Sequence, residues 1–237
     1  AQAPDLSAFG NIDILYPLTG GFRNDVWLVE CSGMPLVAKS SKRSEAQVVW
    51  MTQLMNYAEQ SSLRLPKLIP SQNENFVCGG FTVETYLTGN LCPIGEMPDL
   101  KPEITYFHQA ARNLPQRPGF ASCADLLTQD LGGDVDMRTL PHDLRQKIQR
   151  AFRAVTNQPV VPLHGDLGEI NVLVEDGLPP ALIDWDESRV DCAFFDLQHL
   201  SNVTLSATEQ KACLAYEIAT CWQSEPEYSQ NLARKLT

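Results

Sequence analysis

A chain of 237 residues, 43% hydrophobic and 20% charged, has the composition of an ordinary globular protein with room for one large domain or two smaller lobes. Its apolar runs, such as Val160-Val161, are far too short to cross a bilayer, and a net charge of −11 argues against nucleic acid or an anionic membrane as partner. Seven cysteines without a C-x-x-C pair, and an amino terminus with neither a basic nor an apolar leader pattern, give the expectation of a reduced, cytoplasmic protein.

An apolar run around Ile12, Ile14 and Leu15 opens the chain. Thr19-Gly20-Gly21-Phe22-Arg23-Asn24 separates it from Val26-Trp27-Leu28-Val29 and Leu36-Val37-Ala38-Lys39, which flank Cys31-Ser32-Gly33-Met34-Pro35 as the arms of a hairpin. Ser44 begins a capping box with Gln47, and Val48, Met51, Leu54 and Met55 recur at helical spacing, so a helix is predicted there, finished by Pro66. Phe76-Val77-Cys78 and Phe81-Thr82-Val83-Glu84 surround Gly79-Gly80 as a second hairpin. Residues 1–87 thus read as a small lobe of about five strands with one main helix. The boundary falls in Leu87-Thr88-Gly89-Asn90.

Residues 88–237 read as a larger, mainly helical lobe, which makes the chain α+β. Pro102 suits the first turn of a helix from Glu103 to Asn113, and the stripe Leu144, Ile148, Phe152, Val155 predicts another over 142–156. Val160-Val161-Pro162-Leu163 then leads to the polar cluster His164-Gly165-Asp166. Two short runs follow, Asn171 to Val174 and Ala181 to Ile183, with Asp176-Gly177 turning between them. The stretch from Thr208 to Gln223 returns to helical spacing.

The chemistry concentrates between His164 and Asp184. A strand-loop-strand-turn-strand path can bring Asp166, Asn171 and Asp184 together at the strand ends. Two carboxylates and an amide there suit a hard cation such as Mg²⁺, with one carboxylate left to orient an acceptor hydroxyl and take its proton. Taken singly, each residue has a plainer role: Lys39 a solvated strand-end charge, Gly20-Gly21 a hairpin turn, Asn171 an Asx-turn, Asp184 a cap.

At these residues the chain resembles a known group. His164-Gly165-Asp166-Leu167-Gly168-Glu169-Ile170-Asn171-Val172-Leu173 is similar to the H-G-D-L-x-x-x-N-V-L loop of the aminoglycoside phosphotransferase and choline kinase families. Ile183-Asp184-Trp185-Asp186 resembles their I-D-W-[DE] segment, and Asp191-Cys192-Ala193-Phe194-Phe195-Asp196-Leu197 the helix start that follows it. The resemblance implies a protein-kinase-like, two-lobed fold that uses ATP and Mg²⁺. It makes Asp166 the catalytic aspartate, and Asn171 and Asp184 the metal ligands. It further implies that Lys39 contacts the α- and β-phosphates and that the Gly20-Gly21 loop covers them with its backbone. Val83 to Gly89, including Glu84 and Tyr86, would be the hinge that receives adenine, with ATP in the cleft between the lobes.

Two departures accompany the resemblance. Kinase-like folds pair the strand lysine with a helix glutamate, and the Met51 and Leu54 spacing puts that position at Gln47. Glu45 lies about 200° away round the helix. Gln47 already serves Ser44, so Glu45 is the expected partner of Lys39. Gly168-Glu169-Ile170 replaces a histidine-proline-glycine-like stretch and adds charge beside the acceptor. Relatives also often continue beyond the last helix, so the acceptor pocket is expected to be reduced or completed by something else. The reading is an ATP-dependent transfer of the γ-phosphate to a hydroxyl of a small molecule. Acidic residues Glu169, Asp186, Glu187 and Asp191 around the site favour a neutral or cationic acceptor, an amino alcohol or amino sugar. Two alternatives stand beside it: a catalytically weak, nucleotide-binding regulator, and a metal-dependent hydrolase, which lacks an H-x-x-x-H or repeated H-x-D pattern.

Overall fold

The computed structural model of the protein describes residues 3–18 and 24–236. In chain order the elements are β1 (Asp13–Pro17), β2 (Val26–Cys31), β3 (Met34–Ser40), α1 (Glu45–Ala58), β4 (Leu68–Ile69), β5 (Phe81–Thr85), β6 (Asn90–Leu91) and α2 (Lys101–Ala110). There follow β7 (Leu131–Gly132), β8 (Val135–Asp136), α3 (His142–Arg153), β9 (Val160–Leu163), β10 (Val172–Val174) and β11 (Ala181–Leu182). The last are β12 (Arg189–Cys192), α4 (Phe194–Leu197), α5 (Ala207–Cys221) and α6 (Pro226–Ala233). No helix among the described residues is long and apolar enough to cross a membrane.

The chain packs as two units, Ala1–Asn90 with Leu173–Ile183, and Leu91–Val172 with Asp184–Thr237. The expected division at 87/88 is a single cut, whereas the chain returns to the first unit late in the sequence. Backbone bonds cause the return: Arg64 N donates to Pro180 O at 3.0 Å, and Leu182 N donates to Arg64 O at 3.0 Å. The Arg64 guanidinium adds a bond from Nε to Pro179 O at 2.8 Å.

In the first unit the predicted hairpin forms, with Cys31 opposite Met34 and the chain reversed by Ser32 and Gly33, both at positive φ. That two-residue geometry matches the twist of the flanking strands. The sheet is antiparallel in the order β1-β2-β3-β5-β4. Leu6, Phe9, Trp27, Val29, Leu36, Ala38 and Val83 form its core. Helix α1 starts where the sequence predicts: Ser44 and Gln47 complete a capping box, and Val48, Met51, Leu54 and Met55 are buried.

The second predicted hairpin closes only at its turn: Cys78 and Phe81 exchange both backbone bonds across Gly79-Gly80, at 3.0 and 2.9 Å, and the ladder goes no further. Strand β5 pairs instead with β3 on one side and β4 on the other. The N–H of Phe76, which the next hydrogen-bonded pair of a ladder would have needed, donates instead to the Glu45 carboxylate, as does that of Val77, at 2.9 to 3.0 Å.

The second unit buries Ile148 and Phe152 of α3 against Ala215, Tyr216 and Ile218 of α5, with Leu163, Phe194 and Phe195 in the same core. Helix α2 runs from Lys101 to Ala110, a little earlier than Glu103 to Asn113, with Pro102 in its first turn. Strand β12 was not anticipated; it pairs antiparallel with β9, Arg189 opposite Leu163 and Cys192 opposite Val160. Alternate charged residues, Arg189 and Asp191, conceal it in the sequence. Both are buried and joined at 3.1 Å, and the guanidinium lies over the Tyr216 ring at 3.7 Å. On the other side of β12 the side-chain amide of Gln116 donates to Val190 O at 2.8 Å and accepts from Val190 N at 2.9 Å.

Two substitutions test the first unit. Gln47→Ala removes half of the capping box and should lower stability by about 1 kcal/mol in denaturant titration. Glu45→Gln weakens the seat of the Phe76 and Val77 amides, whose hydrogen exchange should accelerate while the remaining amides of the sheet stay protected; unchanged exchange at both would refute that role.

Candidate active site

Strand β9 ends in Leu163 and delivers His164-Gly165-Asp166 into a loop that only glycine can turn. Gly165 has φ +91°, and a Cβ there would stand 2.2 Å from the Glu187 carbonyl oxygen. The loop is held from beneath by Asp196 of α4, which is fully buried. One carboxylate oxygen accepts from His164 N at 2.9 Å and lies 2.9 Å from His108 Nε2 on α2, while the other accepts from Gly165 N at 2.9 Å. Burial alone would push the Asp196 carboxyl up. The hydrogen bond and field of His108, then His164 and the Gly165 N–H, outweigh burial and hold it below the usual carboxylate range. An ionised carboxylate only accepts, so the hydrogen of this bond sits on His108 Nε2.

Asp166 and Asn171 are brought together. Asn171 Nδ2 donates to the Asp166 main-chain oxygen at 2.8 Å and to its carboxylate at 3.0 Å. The Asp166 side chain itself is exposed, and its N–H donates to His164 Nδ1 at 3.2 Å. Asp184 occupies the left-handed region at φ +62°, ψ +66°, at the start of a 3-10 turn over Trp185–Glu187. Aspartate tolerates that conformation better than most residues, yet at some cost, and such positions concentrate at working sites.

The turn after Asp184 is fastened to the loop of Asp166. The Trp185 and His164 rings meet edge-on at 4.7 Å, and Ser188 Oγ donates to His164 O at 3.1 Å. Arg117, 1% exposed, donates to the carbonyls of Asp186 at 2.7 Å and Ser188 at 3.0 Å. Asp191, expected among the acidic residues facing an acceptor, is 0% exposed and joined to Arg189, so it is withdrawn from that role. Glu169 has its carboxylate 3.4 Å from Gly95 N.

In the first unit Gly20 and Gly21 lie outside the described residues. Lys39, near the end of β3, pairs with Glu84 of β5 at 2.7 Å. The expected Lys39–Glu45 pair is therefore corrected, because the Glu45 carboxylate is committed to the backbone of Phe76 and Val77. Glu84 has register partners on both sides, Val37 and Leu68, and Tyr86 N donates to Pro35 O at 3.4 Å. Among the described residues, the one group of His, Cys, Asp or Glu with three donor atoms inside 4.8 Å is Cys123, Asp191 and Cys192. The Arg189 cation against Asp191 makes it a poor metal seat.

Asp196, His108, Gln116 and Arg117 carry much of this geometry, and none received a role from the sequence. A signal existed for His108: with Ile104 and Phe107 it shares the buried face of α2, where an unpartnered polar side chain would be costly. Arg117, in Pro115-Gln116-Arg117-Pro118, offered none.

The fold that carries this glycine-turned H-G-D loop, with its asparagine folded back on its aspartate and a second aspartate strained into the next turn, is protein-kinase-like with a β-rich amino-terminal region. The family comparison agrees: the model of the phosphotransferase enzyme family matches residues 15–224. The chain belongs to that family, and it is a small-molecule kinase with an alcohol group as acceptor. No curated protein matches it. Among solved structures it is similar to an aminoglycoside phosphotransferase from Alicyclobacillus acidocaldarius subsp. acidocaldarius DSM 446, at 16% identity and TM-score 0.55, over 100% of this chain and 96% of that one. The microcompartment-associated aminopropanol kinase matches at 14% identity and TM-score 0.56, over 97% and 91%. A spectinomycin phosphotransferase in complex with ADP and spectinomycin matches at 9% identity and TM-score 0.52, over 94% and 88%. At these identities the structural likeness establishes the fold.

Two measurements test the loop. Gly165→Ala should destabilise the protein by about 1–3 kcal/mol and abolish turnover, because the methyl meets backbone and cannot be relieved by a rotamer change. The lowered pKa of Asp196 gives stability that is present above the ordinary aspartate pKa and lost as pH falls through the folded value. Acid melts should therefore drop below about pH 4, and Asp196→Asn, already destabilised at neutral pH, should show a shallower drop there.

Proposed function

We propose that the protein transfers the γ-phosphate of ATP to a hydroxyl of a neutral or cationic small molecule, an amino alcohol or amino sugar. The first unit acts as the nucleotide-binding lobe and the second as the catalytic and acceptor-binding lobe of a two-lobed enzyme. The observation that carries this reading is the pair of hydrogen bonds that Asn171 Nδ2 donates to the main-chain and carboxylate oxygens of Asp166, within a loop already braced by Asp196. It leaves an exposed carboxylate with a fixed main chain, as a group that must meet an incoming hydroxyl requires.

The donor set also fits a metal. With Asn171 Nδ2 spent on Asp166, its carbonyl oxygen remains as a neutral ligand, and the Asp184 carboxylate is an anionic one, a pairing of hard oxygens suited to Mg²⁺. Bound there, Mg²⁺ would offset the charge on the transferring phosphoryl group. Asp166 orients the acceptor hydroxyl and takes its proton as the oxygen bonds to the γ-phosphorus and the bond to the β-γ bridging oxygen breaks, releasing ADP. Lys39 contacts the α- and β-phosphates. Asp166, Glu169, Asp186 and Glu187 give the second unit an acidic surface near the reacting centre, which supports a cationic or neutral acceptor in preference to an anion. Seven cysteines with no disulfide among them suit a reducing compartment, the cytoplasm.

One observation favours a second reading, a catalytically weak nucleotide-binding regulator: the helix acid Glu45 does not meet Lys39. Thermal shift against ATP with and without Mg²⁺, followed by an acceptor panel of amino sugars, amino alcohols and small hydroxy amino acids, separates the two. Stabilisation by Mg·ATP with no turnover on any acceptor would favour the regulator.

The division of roles predicts that Asp166→Ala loses at least ~10²-fold in turnover while binding Mg·ATP nearly as the parent does. Asp184→Asn should weaken Mg·ATP binding more than Asp166→Ala, because it removes ligand charge from a hard cation. Calorimetric titration of both variants checks this, and equal affinities would contradict it. Glu169→Gln and Asp186→Asn should raise KM for a cationic acceptor at low salt, an effect that shrinks as ionic strength rises.

A further inference from the structure

Kinase-like sites hold the phosphate-contacting lysine with a counter-charge, and here α1 supplies none. Glu45 is taken by the Phe76 and Val77 amides, and Gln47 is taken by Ser44. The sheet supplies one instead. Val37 stands opposite Glu84 and Lys39 opposite Thr82, so Lys39 and Glu84 are diagonal neighbours on one face of adjacent strands. From that position Lys39 Nζ reaches Glu84 Oε1 at 2.7 Å, with the side chains only 17% and 11% exposed. Partial burial removes much of the solvent screening that makes surface pairs weak, so the pair holds a definite geometry.

We propose that Glu84 of β5 is the residue that positions Lys39 for the nucleotide phosphates, replacing the helix-borne acid of the kinase-like plan; this rests on the reading of Lys39 as the phosphate contact. An ammonium group carries three hydrogens, so a bond to Glu84 aims the group and is compatible with its contact to phosphate oxygens. The pair is built on two strands that share a hydrogen-bonded ladder, so the lysine is set when the sheet forms and does not wait on the placement of α1. It also gives Glu84 a task for its side chain, where its backbone already lies between β3 and β4.

A double-mutant cycle tests the proposal, using Lys39→Met, Glu84→Gln and the pair, with initial rates at varied ATP and Mg·ATP affinity by calorimetry. Glu84→Gln is expected to lower kcat/KM for ATP at least tenfold and to weaken Mg·ATP binding, with KM for the acceptor unchanged. Glu84→Asp should recover part of the loss. In the Lys39→Met background, which itself loses more, Glu84→Gln should have no further effect, since its action runs through the lysine. Full additivity of the two losses would overturn the proposal, as would a Glu84→Gln enzyme within twofold of wild type beside a crippled Lys39→Met. If Lys39→Met kept wild-type kcat/KM for ATP, the phosphate role of Lys39 would fail and the proposal with it, an outcome distinct from the first two. Should Glu84→Gln not fold, Glu84→Ala, which also removes the charge, enters the same cycle with the same criteria.

Discussion

Asp196 sits out of contact with water and is nevertheless ionised, a condition that only directed hydrogen bonds can sustain. Its donors are the backbone N–H groups of His164 and Gly165 and the His108 ring. The carboxylate therefore ties α2 and α4 to the loop that carries Asp166, and the loop cannot shift without exposing a buried charge to apolar surroundings. The rest of the site is layered on that anchor. His164, fixed from below, meets Trp185 and Ser188, and Arg117 holds the carbonyls on the far side of the same turn. Asp166 and the strained Asp184 thus depend on one carboxylate that touches neither.

How much of this could be read from the sequence depended on whether the deciding interaction was local. The Ser44–Gln47 capping box, the Ser32-Gly33 turn and the stripe of α3 are contained in a few neighbouring residues, and they stand where the pattern puts them. The H-G-D loop and Asp184 were legible as a motif. Strand β12 was not, because its identity comes from β9 across the unit and from a charge pair that hides its buried face. The hairpin at 76–81 stops at its turn for a related reason: Phe76 and Val77 looked like strand residues, but a carboxylate thirty-odd residues away had taken their amides. Apolar content marks what can be buried, and it does not say which partner will arrive.

The acidic residues show the same limit. Glu45, Glu84 and Asp191 are alike in a sequence, and each ends in different service: one seats a loop, one meets the strand lysine, one neutralises a buried arginine. A net charge of −11 gave no means of telling them apart. What separates them is whether a cation or a row of N–H groups lies within reach once the sheet and the helices have formed.

The contact between Gln116 and Val190 bears on how the protein behaves at high concentration. Val190 faces Pro162, which has no N–H to give, so the strand's polar groups at that point turn outward from β9. An open edge of this kind is a template on which another chain can lay a strand. Gln116 occupies it with a side-chain amide that imitates one residue of a neighbouring strand, offering a donor and an acceptor at the spacing a backbone would use. The plug is made from the same chain and is therefore present at any concentration. With both polar groups of Val190 taken, a neighbouring chain finds neither donor nor acceptor at that point of the edge.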